Sequence, residues 1–260
     1  METVKLSVDP RGVADLCLAR PEKHNALSAL MIAELTEAAR QVAADPAVRV
    51  VVMRGEGRSF CAGGDLGWMQ DQMRADPQTR AREARALAQM LAVLNDLPKP
   101  LIGRIEGNAF GGGVGLACVC DVAIGTQAAR FGLTETRLGL IPATIGPYVL
   151  ARLGEAMARR VFMSARLFDA AEAERLGLLA RVVAPDEIDA AIEAEVSPYL
   201  SCAPGAVAAA KALALSLGAR PTEQQIDMTI AALVARWETQ EAQDGIAAFF
   251  DRRPAPWVSE

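Results

Sequence analysis

Polar and apolar residues alternate over residues 4–8 and again over 13–18, and Asp9-Pro10-Arg11-Gly12 lies between the two runs. A period of two broken by turn-forming residues predicts a strand pair. The period then lengthens. Leu27, Leu30, Met31, Leu35, Ala38 and Val42 recur at helical spacing, which predicts a helix that starts after Ser28. Residues 48–53 form a short apolar run of the kind that makes a buried strand, and the polar, Arg-rich stretch 70–82 has so weak a period that it reads as an exposed or mobile lid. An amphipathic helix is predicted over 84–97, stopped by Pro98-Lys99-Pro100, and a strand over 101–106. Residues 114–118 predict a short helix buried on nearly all sides, and 119–125 a returning strand. Beyond Val183 the pattern is helical throughout, with helices over 185–199, 204–217 and 222–250 separated by Pro and Gly breaks. The last carries Ile226, Ile230, Leu233, Val234 and Trp237 on one face, which must fold back on the core or pack against another subunit.

Strand, glycine turn and helix recur in units of about fifty residues, 48–97 and 101–150. Such a period predicts an α/β protein of stacked ββα layers rather than one open doubly wound sheet. Each unit contains a glycine-bearing turn between a strand and a helix: Ser59-Phe60-Cys61-Ala62-Gly63-Gly64-Asp65 and Gly107-Asn108-Ala109-Phe110-Gly111-Gly112-Gly113. The first N–H groups of a helix have no partner within it, so both turns present free donors. Two donors converging on one point make an oxyanion hole, the device for chemistry that drives negative charge onto a carbonyl or thioester oxygen.

Composition narrows the options. The 260 residues carry a net charge of -5, and no basic cluster of the kind that binds nucleic acid stands out. The five cysteines (Cys17, Cys61, Cys118, Cys120 and Cys202) are odd in number and scattered through apolar stretches, which fits a reducing, cytoplasmic setting better than a disulfide framework. No stretch approaches eighteen uninterrupted apolar residues, and no leader pattern is visible, so neither a membrane partner nor a targeting address is expected. A dinucleotide fingerprint and a Walker sequence are both absent, a nucleophile-and-base triad would have to use the sole histidine, His24, and Cys118-Val119-Cys120 lacks a second pair for a metal, so no metal is expected.

Several stretches carry a resemblance when taken together: Arg20-Pro21-Glu22-Lys23-His24-Asn25-Ala26-Leu27, residues 59–65, Lys99-Pro100-Leu101-Ile102 through Gly113, Cys120-Asp121, Phe131-Gly132-Leu133-Thr134-Glu135, and Ala171-Glu172-Ala173 to Gly177-Leu178. In order and spacing the chain resembles the crotonase superfamily, also called the enoyl-CoA hydratase/isomerase family. The resemblance implies the crotonase (ClpP/crotonase) fold, a spiral of ββα repeats over residues 1–195 followed by a C-terminal helical trimerisation region over 196–260, assembled as a homotrimer or homohexamer. It implies an acyl-CoA thioester as the small-molecule substrate and no separate cofactor, coenzyme A being part of that substrate. By position, the thioester oxygen would be held by the backbone N–H groups of Gly64 and Gly112, and the catalytic carboxylate would be Glu135. Lys23, His24, Ala26, Ala62, Asp65 and Leu66 fall where the family contacts substrate or coenzyme A, and Arg252 where a basic residue of the tail can reach a neighbouring subunit's coenzyme A, although Asp65 is also placed to cap a helix and surface solvation alone would account for His24 or Arg252.

One expected group is missing. Hydration of a conjugated thioester needs water at Cβ and a proton at Cα, and the best-known hydratases of this family divide that work between two glutamates. The second position is Glu135; the first is Gly115. Three readings stay open: a hydratase in which Glu135 acts alone, a Δ3,Δ2-enoyl-CoA isomerase in which Glu135 shuttles one proton, and a catalytically degenerate protein that only binds acyl-CoA. The run from Phe131 to Val149 looks similar to the methylglutaconyl-CoA and isohexenylglutaconyl-CoA hydratase branch, which implies a branched or glutaconyl-type acyl group. Partial burial between Phe131 and Leu140 should raise the Glu135 pKa and let it serve as both acid and base near neutrality, unless it pairs with Arg130 or Arg137 instead.

Overall fold

A computed structural model describes residues 1–218 and 221–258, so 219–220 and 259–260 of the expected C-terminal region lie outside the description. The chain begins with the expected hairpin, β1 (Val4–Val8) and β2 (Val13–Leu18), paired antiparallel with Val4 opposite Leu18. Asp9 Oδ1 fixes its turn by accepting from the N–H groups of Arg11 and Val13 at 2.8 and 2.9 Å. Helix α1 (Ala29–Ala44) starts where the pattern put it, with Ser28 Oγ accepting from the N–H of Met31 at 3.2 Å.

Three passes then follow one plan. The first runs through β3 (Val50–Gly55), β4 (Ser59–Cys61), α2 (Leu66–Arg74) and α3 (Pro77–Asn95). The second comprises β5 (Leu101–Ile105), β6 (Asn108–Phe110) and α4 (Gly112–Val119). The third comprises β7 (Val122–Thr126), β8 (Arg130–Gly132), α5 (Gly146–Leu153) and α6 (Glu155–Phe162). In each pass the first strand joins one sheet and the second joins another. The chain closes with β9 (Leu167–Asp169), α7 (Ala170–Arg175), β10 (Arg181–Val183), α8 (Ile188–Leu200), α9 (Pro204–Leu217), α10 (Glu223–Trp237) and α11 (Gln240–Phe250). The larger sheet has the order β1-β2-β3-β5-β7-β10, parallel apart from the hairpin, and the smaller has the order β4-β6-β8-β9 with β9 antiparallel. The ββα layering read from the fifty-residue period is thus a spiral in which successive turns stack strand on strand.

Both faces of the larger sheet are covered, which is why its parallel strands read as continuous apolar runs rather than alternating ones. Leu16, Met53 and Leu101 pack into the main core with Leu35 of α1 and Leu91 of α3, whereas Val50, Val52, Ile102 and Ile124 meet Ile188, Ile192 and Val196 of α8 on the other side.

The sequence reading needs two corrections. The stretch expected as a lid, 70–82, is helical: α2 is capped by Asp65, and α3 starts at Pro77 under an Asp76 cap whose Oδ1 accepts from Thr79 N–H at 2.7 Å. The apolar period failed there because a buried cation takes a core position. Arg80 donates to the carbonyls of Gln72 and Met73 at 2.8 and 3.2 Å, pairs with Glu238, and lies 5.7 Å from the Trp237 ring centroid. The long helix expected over 222–250 is instead two, because Thr239 breaks it and caps α11 by accepting from Ala242 N–H at 3.3 Å.

Candidate active site

The two glycine turns meet. Parallel pairing of β4 with β6 sets Ser59 beside Asn108 and Cys61 beside Ala109, so the segments leaving both strands run together. Gly63 has φ +94° and Gly111 has φ +48°, backbone conformations that favour glycine, and a Cβ on Gly111 would lie 3.8 Å from Gly63 Cα. A Cβ on Gly63 would sit 3.0 Å from the Phe110 carbonyl oxygen. Glycine at this junction is therefore a condition of contact between the turns.

The orientation of Gly64 follows from a parallel bridge with Leu27. Leu27 N–H donates to Gly63 O at 2.7 Å, and Asp65 N–H donates to Leu27 O at 3.0 Å. With its neighbours tied to Leu27, Gly64 keeps its own N–H out of that bridge, lines the cavity, and finds no acceptor for the N–H among the described residues. Gly112 opens α4, and its N–H likewise has no acceptor there, while Val114 and Gly115 both donate to Gly111 O at 2.9 and 3.2 Å. Both expected donors line one cavity of about 370 Å³.

Glu135 lies on the same cavity. Gly111 N–H donates to Gly132 O at 2.9 Å, which carries the chain leaving β8 past the second glycine turn, and Glu135 follows at the start of a short 3₁₀ turn. Its Oε1 comes within 3.1 Å of where a Cβ on Gly111 would be. Its Oε2 is shielded from solvent and has no hydrogen-bond partner. No ion pair with Arg130 or Arg137 forms, so the carboxyl is not neutralised by a structural bridge. Burial pushes the Glu135 carboxyl up to about 7, so that it exchanges a proton near neutral pH. Burial also pushes the thiol of Cys61, just before the first turn, up to about 12, which makes a thiolate nucleophile there untenable.

The remaining expected residues divide into two groups. Ala62, Leu66 and the Gly63–Gly64 turn line the cavity. Lys23, His24 and Ala26 lie alongside it: Ala62 N–H donates to His24 O at 3.0 Å, the His24 ring sits 3.1 Å from Ser59 Oγ, and Ala26 O accepts from Arg20 at 2.9 Å. Lys23 and His24 are exposed. Asp65 has the capping role anticipated for it, with Oδ1 accepting from Gly67 and Trp68 N–H groups and Oδ2 paired with Arg20 at 3.0 Å. Burial alone would raise its carboxyl, but those N–H groups and the guanidinium outweigh it and hold Asp65 below the usual range. Arg252 is exposed beyond the end of α11 and lies outside this chain's own cavity lining, and the contact expected of it is with a neighbouring subunit's coenzyme A, which a single chain does not test.

Sequence reasoning missed the chamber walls as individual residues. Trp68 of α2, Leu87 of α3, Ile145 before α5, and Leu233, Trp237 and Phe249 of the last two helices all line the cavity. The side chains that face inward leave no trace in the sequence, because no spacing rule relates positions 68 and 249. Leu27 gave no chemical signal at all, though it is the strap that turns Gly64.

The sequence profile of the Enoyl-CoA hydratase/isomerase family matches residues 9–260. The chain belongs to this family. Among members of the enoyl-CoA hydratase/isomerase family, a crotonyl-CoA hydratase of Syntrophomonas wolfei is 33% identical over 251 residues, covering 95% of this chain and 95% of its own length. An enoyl-CoA hydratase from Mycobacterium avium superposes with a TM-score of 0.89 at 30% identity, covering 99% of this chain and 100% of its own. Pseudomonas aeruginosa AtuE gives a TM-score of 0.80 at 37% identity over 99% of this chain and 100% of its own. The crotonase fold expected from the sequence is therefore the fold observed.

The raised Glu135 pKa has a consequence for stability. The folded chain keeps this proton to about pH 7, whereas an unfolded carboxyl releases it near 4.5. The penalty for holding Glu135 therefore grows as pH rises from 4.5 to 7 and stays constant above that. Glu135→Gln should accordingly gain more in melting temperature over the unsubstituted protein at pH 8 than at pH 5; equal differences at both values would contradict the buried, unpaired carboxyl.

Proposed function

We propose that the protein hydrates 2-enoyl thioesters of coenzyme A. The observation that carries this reading is the convergence of two unpaired backbone donors, Gly64 and Gly112, with one buried, unpaired carboxyl on a single cavity. In this reading the thioester carbonyl oxygen accepts from both N–H groups. The Glu135 carboxylate takes a proton from water as the water oxygen bonds to Cβ, and the π electrons move toward the carbonyl oxygen as an enolate. Glu135, now protonated, returns the proton to Cα, so H and OH are added and the carboxylate is regenerated. The two donors favour the enolate over the neutral carbonyl, an effect that costs about 10²–10³ in rate when one such donor is lost. The hydratase names of relatives of similar length support the reading.

A second reading has an observation of its own. Position 115 offers no acid, and one carboxyl suffices to carry a proton between Cγ and Cα, so conversion of 3-enoyl to 2-enoyl thioesters by Glu135 is the alternative. The two reactions separate by substrate, since hydration consumes the ultraviolet absorbance of the conjugated thioester and isomerisation generates it. Glu135→Gln should lower hydration by about 10²- to 10⁴-fold while acyl-CoA still binds. In the unsubstituted enzyme kcat/KM should rise with pH through a midpoint near 7 as the general base ionises. Full turnover by the glutamine variant would remove Glu135 from the mechanism.

For the acyl group, the reading is a branched or glutaconyl type. The support is Arg137, the one cation lining the cavity, which makes no side-chain hydrogen bond or ion pair among the described residues. A guanidinium matches a carboxylate in a two-pronged geometry. Arg137→Met should raise KM for an enoyl-CoA bearing a distal carboxylate and leave that for crotonyl-CoA nearly unchanged; equal changes would refute the assignment.

For assembly, the reading is a homotrimer or a dimer of trimers. Helix α9 supports it: it has no buried residue, Leu213 and Leu217 are 60% and 80% exposed, and Lys211 is its one charged side chain. Apolar surface of this kind implies cover by another copy. Light scattering should give the mass of three or six chains, and a monomer would dismiss the proposal.

A further inference from the structure

The absence of an acid at position 115 is enforced by a neighbour. A Cβ on Gly115 would lie 2.5 Å from Ile145 Cγ2 and 3.0 Å from Ile145 Cβ, so no larger side chain enters from α4 while Ile145 is in place. Ile145 is 2% exposed and itself lines the cavity. The wall where a second carboxyl would stand is therefore hydrocarbon. A water awaiting attack needs at least two polar partners to fix its direction, and Glu135 supplies one.

Thr144 is the next residue along that wall. It is 7% exposed, lines the same cavity, and its hydroxyl has no hydrogen-bond partner among the described residues. Other polar side chains on the cavity are less suited. The Trp68 indole N–H faces Glu83 at 3.5 Å, Arg137 is exposed, and Thr134 is only half-buried whereas Thr144 is buried. A threonine hydroxyl both donates and accepts, whereas a carboxylate only accepts, so the two, lining one cavity, offer a water complementary contacts, to a lone pair and to a hydrogen.

We propose that Thr144 is a second water-positioning residue, supplying from the loop before α5 the contact that Gly115 and Ile145 deny to α4. The inference rests on the hydratase reading and assigns part of that reaction to a residue no motif marks. The isosteric Thr144→Val removes the hydroxyl and keeps the shape, and Thr144→Ser keeps the hydroxyl and removes the methyl. With crotonyl-CoA, the valine variant should lose about 10-fold or more in kcat with KM within about twofold, and the serine variant should stay within about threefold of the unsubstituted enzyme in kcat, as expected for loss or retention of one hydrogen bond. Melting temperatures measured alongside should be the same for the valine variant and the unsubstituted protein, since no structural hydrogen bond is lost. Unchanged kcat in the valine variant overturns the proposal, as do equal losses in both variants, which would assign the effect to shape. Failure of the unsubstituted protein to hydrate any enoyl-CoA overturns the hydratase reading first, and this inference with it.

Discussion

The structure depends on how closely two backbone turns can approach. β4 and β6 are neighbours in a parallel sheet, and the chain leaving each must turn at once into a helix or a bridge. Any side chain at Gly63 or Gly111 would stand between the segments, since each lies within 4 Å of the other turn's backbone where a Cβ would be. At Gly113 the constraint is harder, because a Cβ there would fall 2.2 Å from Cys61 O. Close contact is what brings the two N–H groups to one cavity, and without it they would be ordinary unsatisfied helix-end donors exposed to water. The three-pass spiral exists around this contact: each pass delivers one strand to the large sheet for stability and one to the small sheet for the site.

The carboxyl opposite is costly by the same physics that makes it useful. A buried acid without a hydrogen-bond partner favours its neutral form, and Glu135 Oε2 is the described side-chain atom that is buried with none. The cost is local, and the surrounding fold opposes it with an extensive apolar core and with strapping of the segment that follows. Arg236 of α10 donates to Gly139 O through Nε and Nη2 at 2.9 and 2.6 Å, and Leu140 N–H donates back to Glu135 O at 3.1 Å. The catalytic candidate is thereby held by a helix about a hundred residues further along the chain.

Much of this was legible in the residues. The hairpin, α1 with its Ser28 cap, the layered repeat and both glycine turns follow from periodicity and turn chemistry, which are local and leave a local trace. Glu135 was singled out by the resemblance rather than by any local pattern, and it lines one cavity with Gly64 and Gly112. The stretch 70–82 misled because Arg80 is buried among carbonyls, an indole and a glutamate, and a cation in a core position erases the apolar stripe by which a helix is recognised. Position 115 was read as an absence, whereas the structure makes it a filled space, because the filling atom belongs to Ile145, thirty residues away. Volume complementarity between distant residues leaves no mark in the spacing of either.

The order in which the parts of the chamber occur along the chain has an effect on its making. Gly64, Gly112 and Glu135 all lie in the first 135 residues, but Leu233, Trp237 and Phe249, which wall the cavity, come from its last helices. A chain emerging from the ribosome would hold Gly64, Gly112 and Glu135 in an open cleft until the helices that carry Leu233, Trp237 and Phe249 are also made. Closure of the chamber is thus tied to the folding of α10 and α11 onto the three earlier passes, and the site is a product of the whole tertiary fold rather than of the spiral alone.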